Sequence, residues 1–364
     1  DVIVITDEAH RSQYAGLALN MRTALPNAGF LAFTGTPLLG QQDGAEKTRE
    51  VFGDYVSVYN FADAVDDGAT KPLYYENRVP EVNLNRDNIG EEIQGIIDNA
   101  DLTDESESKL EKEFARAYHI ITRDDRLDTI AKDLVEHFMG REPFTSGVQG
   151  KAMVVSIDKA TAIKMYDKVQ VAWKAKIQSL EIEMKAASSQ LKPILQEDID
   201  YMKATDMAVV VSGGQGDYEA MEKKGLDYKT HRERFMKEEI DNKFKDVEDP
   251  LRIVFVCAMW LTGYDAPCVS TLYLDKPLKS HTLMQTIARA NRVYPGKECG
   301  QVVDYINIFG ALQEALGVYG GVSEPQAEYG DQSSLGDMAA ESKQVLVNHA
   351  KEALLDVKVF MSEL

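Results

Sequence analysis

The chain has 364 residues, 44% of them hydrophobic, which is enough for two domains with ordinary cores. A formal net charge of −20 excludes a simple basic nucleic-acid-binding protein, although a local basic groove remains compatible with it. No apolar stretch approaches the roughly 18 residues of a membrane span, and no signal peptide is visible, so we expect a cytoplasmic protein with no membrane contact. The scattered cysteines Cys257, Cys268 and Cys299 favour buried reduced thiols over a metal site.

Residues 1–65 have the pattern of the C-terminal part of an α/β domain. Apolar strands are predicted at 2–6 and 30–34, with a helix near 13–25 between them. Continuous apolar strands separated by helices indicate a parallel sheet covered on both faces, and ligands bind such sheets at the carboxyl ends of the strands. Because the chain opens inside a predicted strand, we expect it to be a segment of a longer protein.

A connecting region follows, with a short helix predicted at 61–66 and a strand at Leu73–Tyr75. Residues 85–113 are acidic and rich in serine and asparagine. This composition favours a solvated insertion or linker over an acidic docking segment.

Residues 66–330 are predicted to form a second α/β domain with acidic and helical insertions. Its predicted strands are 151–156, 207–212, 252–257, 269–274 and 300–305, and its predicted helices are 114–139, 158–187, 191–204, 230–244 and 282–291, with an interruption at Pro193. The glycine-rich turn 213–216 lacks the lysine and hydroxyl residues of a phosphate cradle and is interpreted as an ordinary turn. From about residue 310 the pattern becomes polar and helical, and 331–364 is predicted to begin a helical domain.

Two polar segments directly follow the strands of the first unit. Asp7 and Glu8 are adjacent carboxylates, which suits Asp7 to hold the water shell of Mg²⁺ and Glu8 to orient the attacking water in ATP hydrolysis. His10 can hydrogen-bond to a neighbouring domain. Thr34, Gly35 and Thr36 offer hydroxyls but no nucleophile with a base, so we expect them to couple the nucleotide site to a nucleic-acid groove.

Two further segments lie in the second unit. Gly263 allows close backbone approach to a ligand, and Asp265 can bond a ribose, a phosphate-bound water or an arginine. Arg289 and Arg292 are spaced to share one face of the predicted helix, one turn after Gln285, and arginines stabilise charge on a transferred phosphoryl group. The four segments in this order predict an ATP-driven nucleic-acid motor.

The phosphate-binding pattern Gly-x-x-x-x-Gly-Lys-[Ser/Thr] occurs nowhere in this sequence. That loop supplies the backbone amides and the lysine that hold the β- and γ-phosphates of ATP. We therefore expect the chain alone to bind ATP poorly and the intact protein to supply the loop.

The motifs resemble those of the R subunit of type I restriction–modification enzymes, in helicase superfamily 2. Residues 7–14 resemble motif II, 34–38 motif III, 262–267 motif V and 285–294 motif VI. Strand 151–156 with Asp158 and Lys159 stands where motif IV would lie and matches it loosely. RNA helicases of the DEAH type have glycines where Ala288 and Asn291 stand, which favours the restriction motor.

This resemblance implies tandem RecA-like domains, the first truncated here, that close on ATP and Mg²⁺. It implies a bacterial or archaeal translocase that moves double-stranded DNA, with an upstream nuclease domain that cuts the DNA. Methyltransferase and specificity subunits are the implied partners. Two alternatives stay open: another superfamily 2 translocase or helicase of repair or remodelling, and an inactive DNA- or protein-binding piece.

Overall fold

The computed structural model describes residues 2–7, 20, 23–34, 54, 56–78, 115–278, 280–308, 312 and 340–342. The first unit contains strands β1 (Ile3–Thr6) and β2 (Gly29–Ala32), which pair in parallel with Thr6 opposite Ala32. Both strands therefore end at the same edge of their sheet, as the sequence predicted.

The second unit is built on a larger parallel sheet. Its strands are β3 (Leu73–Asn77), β4 (Lys151–Ser156), β5 (Asp206–Val210), β6 (Leu251–Val256), β7 (Val269–Asp275), β8 (Gly300–Asp304) and β9 (Ala340–Ser342). They lie in the order β5-β6-β4-β7-β8-β3-β9, and every neighbouring pair is parallel. The predicted fold class, α/β with parallel sheets in successive units, is confirmed.

Helices accompany these strands along the chain. They are α1 (Phe61–Asp66), α2 (Ala115–Ile121), α3 (Asp124–Met139), α4 (Lys159–Ala186), α5 (Lys192–Ala204), α6 (Asp217–Lys223), α7 (Tyr228–Lys237), α8 (Ile240–Lys245) and α9 (Ser280–Ile287). None of the helices in the described part of the chain is long and apolar enough to cross a membrane.

The sheet is buried on both faces, and each strand contributes alternate side chains to the hydrophobic cores on its two sides. In β4, Met153 and Val155 belong to one hydrophobic core, whereas Ala152 and Val154 belong to the other. The second core includes the apolar side chains of α3, α4 and α5. A sheet covered in this way exposes ligand-binding groups only at its ends.

Two predicted helices are each divided in the structure. The helix predicted at 114–139 is broken between α2 and α3. The buried Arg126 guanidinium donates a hydrogen bond to the Ile121 carbonyl at 2.8 Å, and the backbone of Arg123 is extended. The helix predicted at 230–244 is broken between α7 and α8 at Glu238, whose backbone is also extended. Pro193 lies in the first turn of α5, where a proline is tolerated, and does not interrupt a helix.

Two elements differ from the prediction in kind. Helix α6 was not predicted, since it follows the glycine-rich turn that was interpreted as loop only. The polar region after residue 310 was predicted to be helical, yet Ala340–Ser342 form β9, which pairs in parallel with β3 through Leu73 and Ala340. The remainder of the predicted helical domain at 331–364 lies outside the described residues.

Candidate functional site

The segment that follows β6 carries the first group of predicted site residues. Gly263 has a φ of +69°, a backbone conformation that suits glycine, and it turns the chain between Thr262 and Tyr264. The Tyr264 ring is buried, while the Asp265 carboxylate is two-thirds exposed. The segment therefore holds an aromatic anchor inside the protein and presents a carboxylate to solvent.

The predicted arginines lie beyond the end of α9 and not on its face, which corrects the expectation of a shared helical face. After Ile287 the backbone tightens: Arg289 N–H donates to Thr286 O and Ala290 N–H to Ile287 O, each three residues back. Arg289 and Arg292 are therefore presented by the turn and the irregular segment that follow the helix.

The two arginine side chains have different surroundings. Arg289 Nε donates to the Gln285 carbonyl at 3.1 Å, and another guanidinium nitrogen donates to the Tyr264 carbonyl. Arg292 Nε lies 3.5 Å from Asp265 Oδ1, with about half of the Arg292 side chain exposed (47%). An exposed ion pair of this kind contributes little stability, so the Arg292 guanidinium can exchange Asp265 for a phosphate at small cost.

The structure thus brings Gly263, Asp265, Gln285, Arg289 and Arg292 together. They lie near the amino ends of β3 and β8, where Lys71 N–H donates to the Asn291 carbonyl, and not at the carboxyl edge of the sheet. Of the predicted residues in the first unit, Asp7 and Thr34 follow β1 and β2, which end side by side, and Asp7 is exposed. Glu8, His10, Gly35 and Thr36 lie outside the described residues. The exposed Asp7 carboxylate fits a ligand for the water shell of Mg²⁺, and the exposed Arg292 guanidinium fits a phosphate.

Trp260 was not singled out in the sequence, although it stands two residues before Thr262. It has a φ of +70°, unusual for a non-glycine residue, and its ring stacks on Tyr264 with centroids 4.1 Å apart and planes at 5°. Aromatic residues are common in cores, and nothing in the sequence distinguishes Trp260 from an ordinary core residue.

Lys297 was also not singled out. Its side chain is buried, and Nζ donates to the carbonyls of Pro267 (3.2 Å) and Val269 (2.5 Å). Burial lowers the pKa of Lys297 to about 7, against the opposing effect of the nearby thiols of Cys268 and Cys299. The Lys297 side chain therefore connects the end of the 262–267 segment to the residues that follow Arg292.

The glycine-rich turn is closed by the protein itself. Gly214 N–H donates to the Asp217 carboxylate at 2.7 Å, and Lys159 Nζ lies 3.0 Å from the same carboxylate. Asp158 caps α4 by accepting from Thr161 N–H at 2.6 Å. These contacts support the interpretation of 213–216 as a turn. The cysteines are free, with Cys257 and Cys268 buried as expected and Cys299 partly exposed.

Two family models match the chain. The model of the SWI2/SNF2 ATPase covers residues 1–108, which include Asp7 and Thr34. The model of domain 3 of the type I restriction enzyme subunit R covers residues 148–307, which include Asp265 and both arginines. Together they match both units in the order that the motifs predicted.

Curated proteins give concordant similarities. A protein of Methanocaldococcus jannaschii that carries the name of the MjaIXP type I restriction enzyme endonuclease subunit is 37% identical over 320 residues, covering 88% of this chain and 27% of that protein. The HindI type I restriction enzyme endonuclease subunit of Haemophilus influenzae is 35% identical over 339 residues, covering 88% and 28%. The chain therefore spans little more than a quarter of the length of these relatives.

Proposed function

This chain belongs to the family of type I restriction enzyme R subunits, and we propose that it forms part of an ATP-driven motor that translocates double-stranded DNA. The observation that carries the proposal is the placement of the Arg292 guanidinium, half exposed and paired with Asp265, close to Arg289 at the amino edge of a parallel sheet. Arginines placed in this way stabilise the charge that builds on a transferred phosphoryl group.

Each part of the site has a task in this proposal. Asp7 holds the water shell of Mg²⁺, Glu8 orients the attacking water, and Thr34, Gly35 and Thr36 couple the nucleotide site to the DNA groove. Bound Mg²⁺ supplies charge neutralisation on the phosphates. Arg292 releases Asp265 and reaches the γ-phosphate when the two units close, while Arg289 holds the Tyr264 carbonyl and keeps Asp265 beside the site.

The proposal extends to the whole protein and its surroundings. We propose that it works in the cytoplasm of a bacterium or archaeon with methyltransferase and specificity subunits, and that DNA cleavage belongs to a nuclease domain elsewhere in the protein. The motor contacts the phosphate backbone of the DNA, and such contacts carry no sequence information. The target site is therefore read by a partner subunit.

The test is the ATPase rate of the intact protein, reconstituted with its partner subunits, with and without double-stranded DNA that bears a target site. Strong stimulation that depends on the site is the expected result. Stimulation by any double-stranded DNA would indicate a general superfamily 2 translocase, and stimulation only by RNA, or none, would contradict the proposal.

Arg292→Ala should lower the turnover number by about 10³-fold or more, as expected for loss of an arginine finger, and leave ATP binding nearly unchanged. Turnover is measured by phosphate release and binding by titration with a fluorescent ATP analogue. Arg292→Lys is the matched control, because lysine keeps the charge but lacks the planar fork and should restore only part of the rate. Wild-type turnover in Arg292→Ala would remove this role.

A further inference from the structure

Trp260 holds a backbone conformation that its side chain disfavours. Its φ of +70° lies in the left-handed region, where residues with a Cβ atom are uncommon and persist only if their surroundings hold them. It lies between β6 and the segment that carries Asp265. A residue in this conformation beside the candidate site indicates that the packing of its ring holds the backbone there.

The Trp260 ring is part of an aromatic stack that starts on the helices before β6. Its centroid lies 5.8 Å from that of Phe244, with the planes at 21°, and 6.3 Å from that of Phe235 on α7. On Tyr264 it lies nearly parallel at 4.1 Å. Because stacked aromatic rings attract each other beyond the burial of their surface, the stack favours one position of the Tyr264 ring against Trp260 and, through Trp260, against Phe244 on α8.

Tyr264 in turn fixes both charged groups of the site. Its carbonyl accepts a hydrogen bond from Arg289, and its hydroxyl donates to the Asp241 carbonyl at 3.4 Å. The next residue is Asp265, whose carboxylate lies 3.5 Å from Arg292. A shift of the Tyr264 ring would therefore move the partner of each arginine.

We propose that Trp260 is a positioning residue for ATP hydrolysis, which through its stack on Tyr264 holds residues 262–265 in the conformation that aligns Arg289 and Arg292. The inference rests on the proposed function. Trp260 acts through Tyr264, on whose ring it stacks. Losing the stack should therefore lower turnover while leaving ATP affinity largely intact, because misplaced transition-state groups reduce kcat more than they raise KM.

The experiment compares Trp260→Gly, Trp260→Phe and Asn307→Gly in the intact protein with its partners. Glycine adopts a φ of +70° freely, so Trp260→Gly removes the ring without leaving strain behind. Asn307 also has a positive φ, 64°, and Asn307→Gly is the matched control for relief of strain. Kinetic constants of DNA-stimulated ATPase and hydrogen exchange of residues 261–266 are measured for each protein.

Trp260→Gly should lower kcat at least tenfold with KM for ATP within threefold of wild type, and should speed exchange of 261–266 at least tenfold. Trp260→Phe should keep at least half of kcat, and Asn307→Gly should match wild type in both measurements. A kcat of Trp260→Gly within twofold of wild type, or equal losses in Trp260→Phe and Trp260→Gly, would overturn the inference. If wild type shows no DNA-stimulated hydrolysis, the proposed function fails, and unchanged exchange in Trp260→Gly would then overturn the positioning role separately.

Discussion

Lys297 carries an ammonium group in a place that disfavours charge. Its side chain is buried with carbonyl oxygens of Pro267 and Val269 as hydrogen-bond partners, and no acidic side chain is among those partners in the described part of the chain. Burial lowers its pKa to about 7 from the usual lysine value of 10.5. The folded protein therefore binds fewer protons than the unfolded chain between these two pH values, and its stability rises with pH across that window.

Lys297→Met removes this titration and should reveal it by comparison. The cost of burying the charge is fully present below pH 7. The free energy of unfolding of the variant, relative to that of wild type, should therefore be most favourable at pH 6. Between pH 7 and 9, wild type should gain up to about 1.4 kcal/mol per pH unit over the variant. Urea unfolding of both proteins at pH 6, 7, 8 and 9 measures the difference, and a difference that does not change with pH would contradict this account.

At the scale of elements, the turn after α9 is held by the start of β8. A Cβ atom at Gly300 would overlap the carbonyl oxygen of Ala290 and lie 2.8 Å from Leu73 Cδ2. Ala290 stands between the two arginines, so the close approach of β8 sets the path of the backbone that presents them. No side chain fits at Gly300 unless this path changes.

Gly300→Ala should therefore lower both stability and turnover. We expect a loss of about 1–3 kcal/mol in the free energy of unfolding, typical of overpacking, and a larger fractional loss in kcat than in ATP affinity. Gly29→Ala is the matched control, because a Cβ atom there would meet no atom within 4 Å among the residues that the structure describes. Urea unfolding and ATPase kinetics measure both effects. A Gly300→Ala protein with wild-type kcat would show that the packing of Gly300 against Ala290 does not position the arginines.

The sequence predicted the strands better than the helix breaks. Strand β4 was predicted with its observed bounds, because a continuous run of apolar residues in a doubly covered sheet has few alternatives. The break before α3 was missed because it depends on Arg126, which reaches back to Ile121 and across to Asp275 on β7. A contact between residues 149 positions apart leaves no periodic signal in the sequence.

The site followed the same rule. The residues that were predicted belong to short segments with recognisable chemistry, and the structure places Asp265 beside Arg292 although 27 positions separate them. Trp260 and Lys297 were missed because their importance comes from a backbone angle and from burial between carbonyls. Both are properties of the packed chain, and neither residue type is unusual at its position in the sequence.

For the whole molecule, the net charge of −20 restricts how the proposed motor can hold DNA. A chain with this net charge repels DNA at long range, so in the proposed motor DNA binding depends on a local groove of basic side chains. A backbone grip of this kind is sensitive to salt. In the proposed motor it also has to alternate with nucleotide state, which requires the two units to open and close around ATP.

The division of labour between units leads to a last prediction, on the chain by itself. In the proposed motor Arg292 stabilises charge on a γ-phosphate that other residues hold, and the sequence contains no phosphate-binding loop to supply the backbone amides and lysine. The chain alone should therefore hydrolyse ATP no faster than its Arg292→Ala variant, with or without double-stranded DNA, while the intact protein shows a large difference between the two. Phosphate release at saturating ATP measures all four proteins. If the isolated chain hydrolyses ATP and Arg292→Ala abolishes this activity, residues within the chain hold the phosphates. The phosphate-binding groups would then lie at the ends of its own strands.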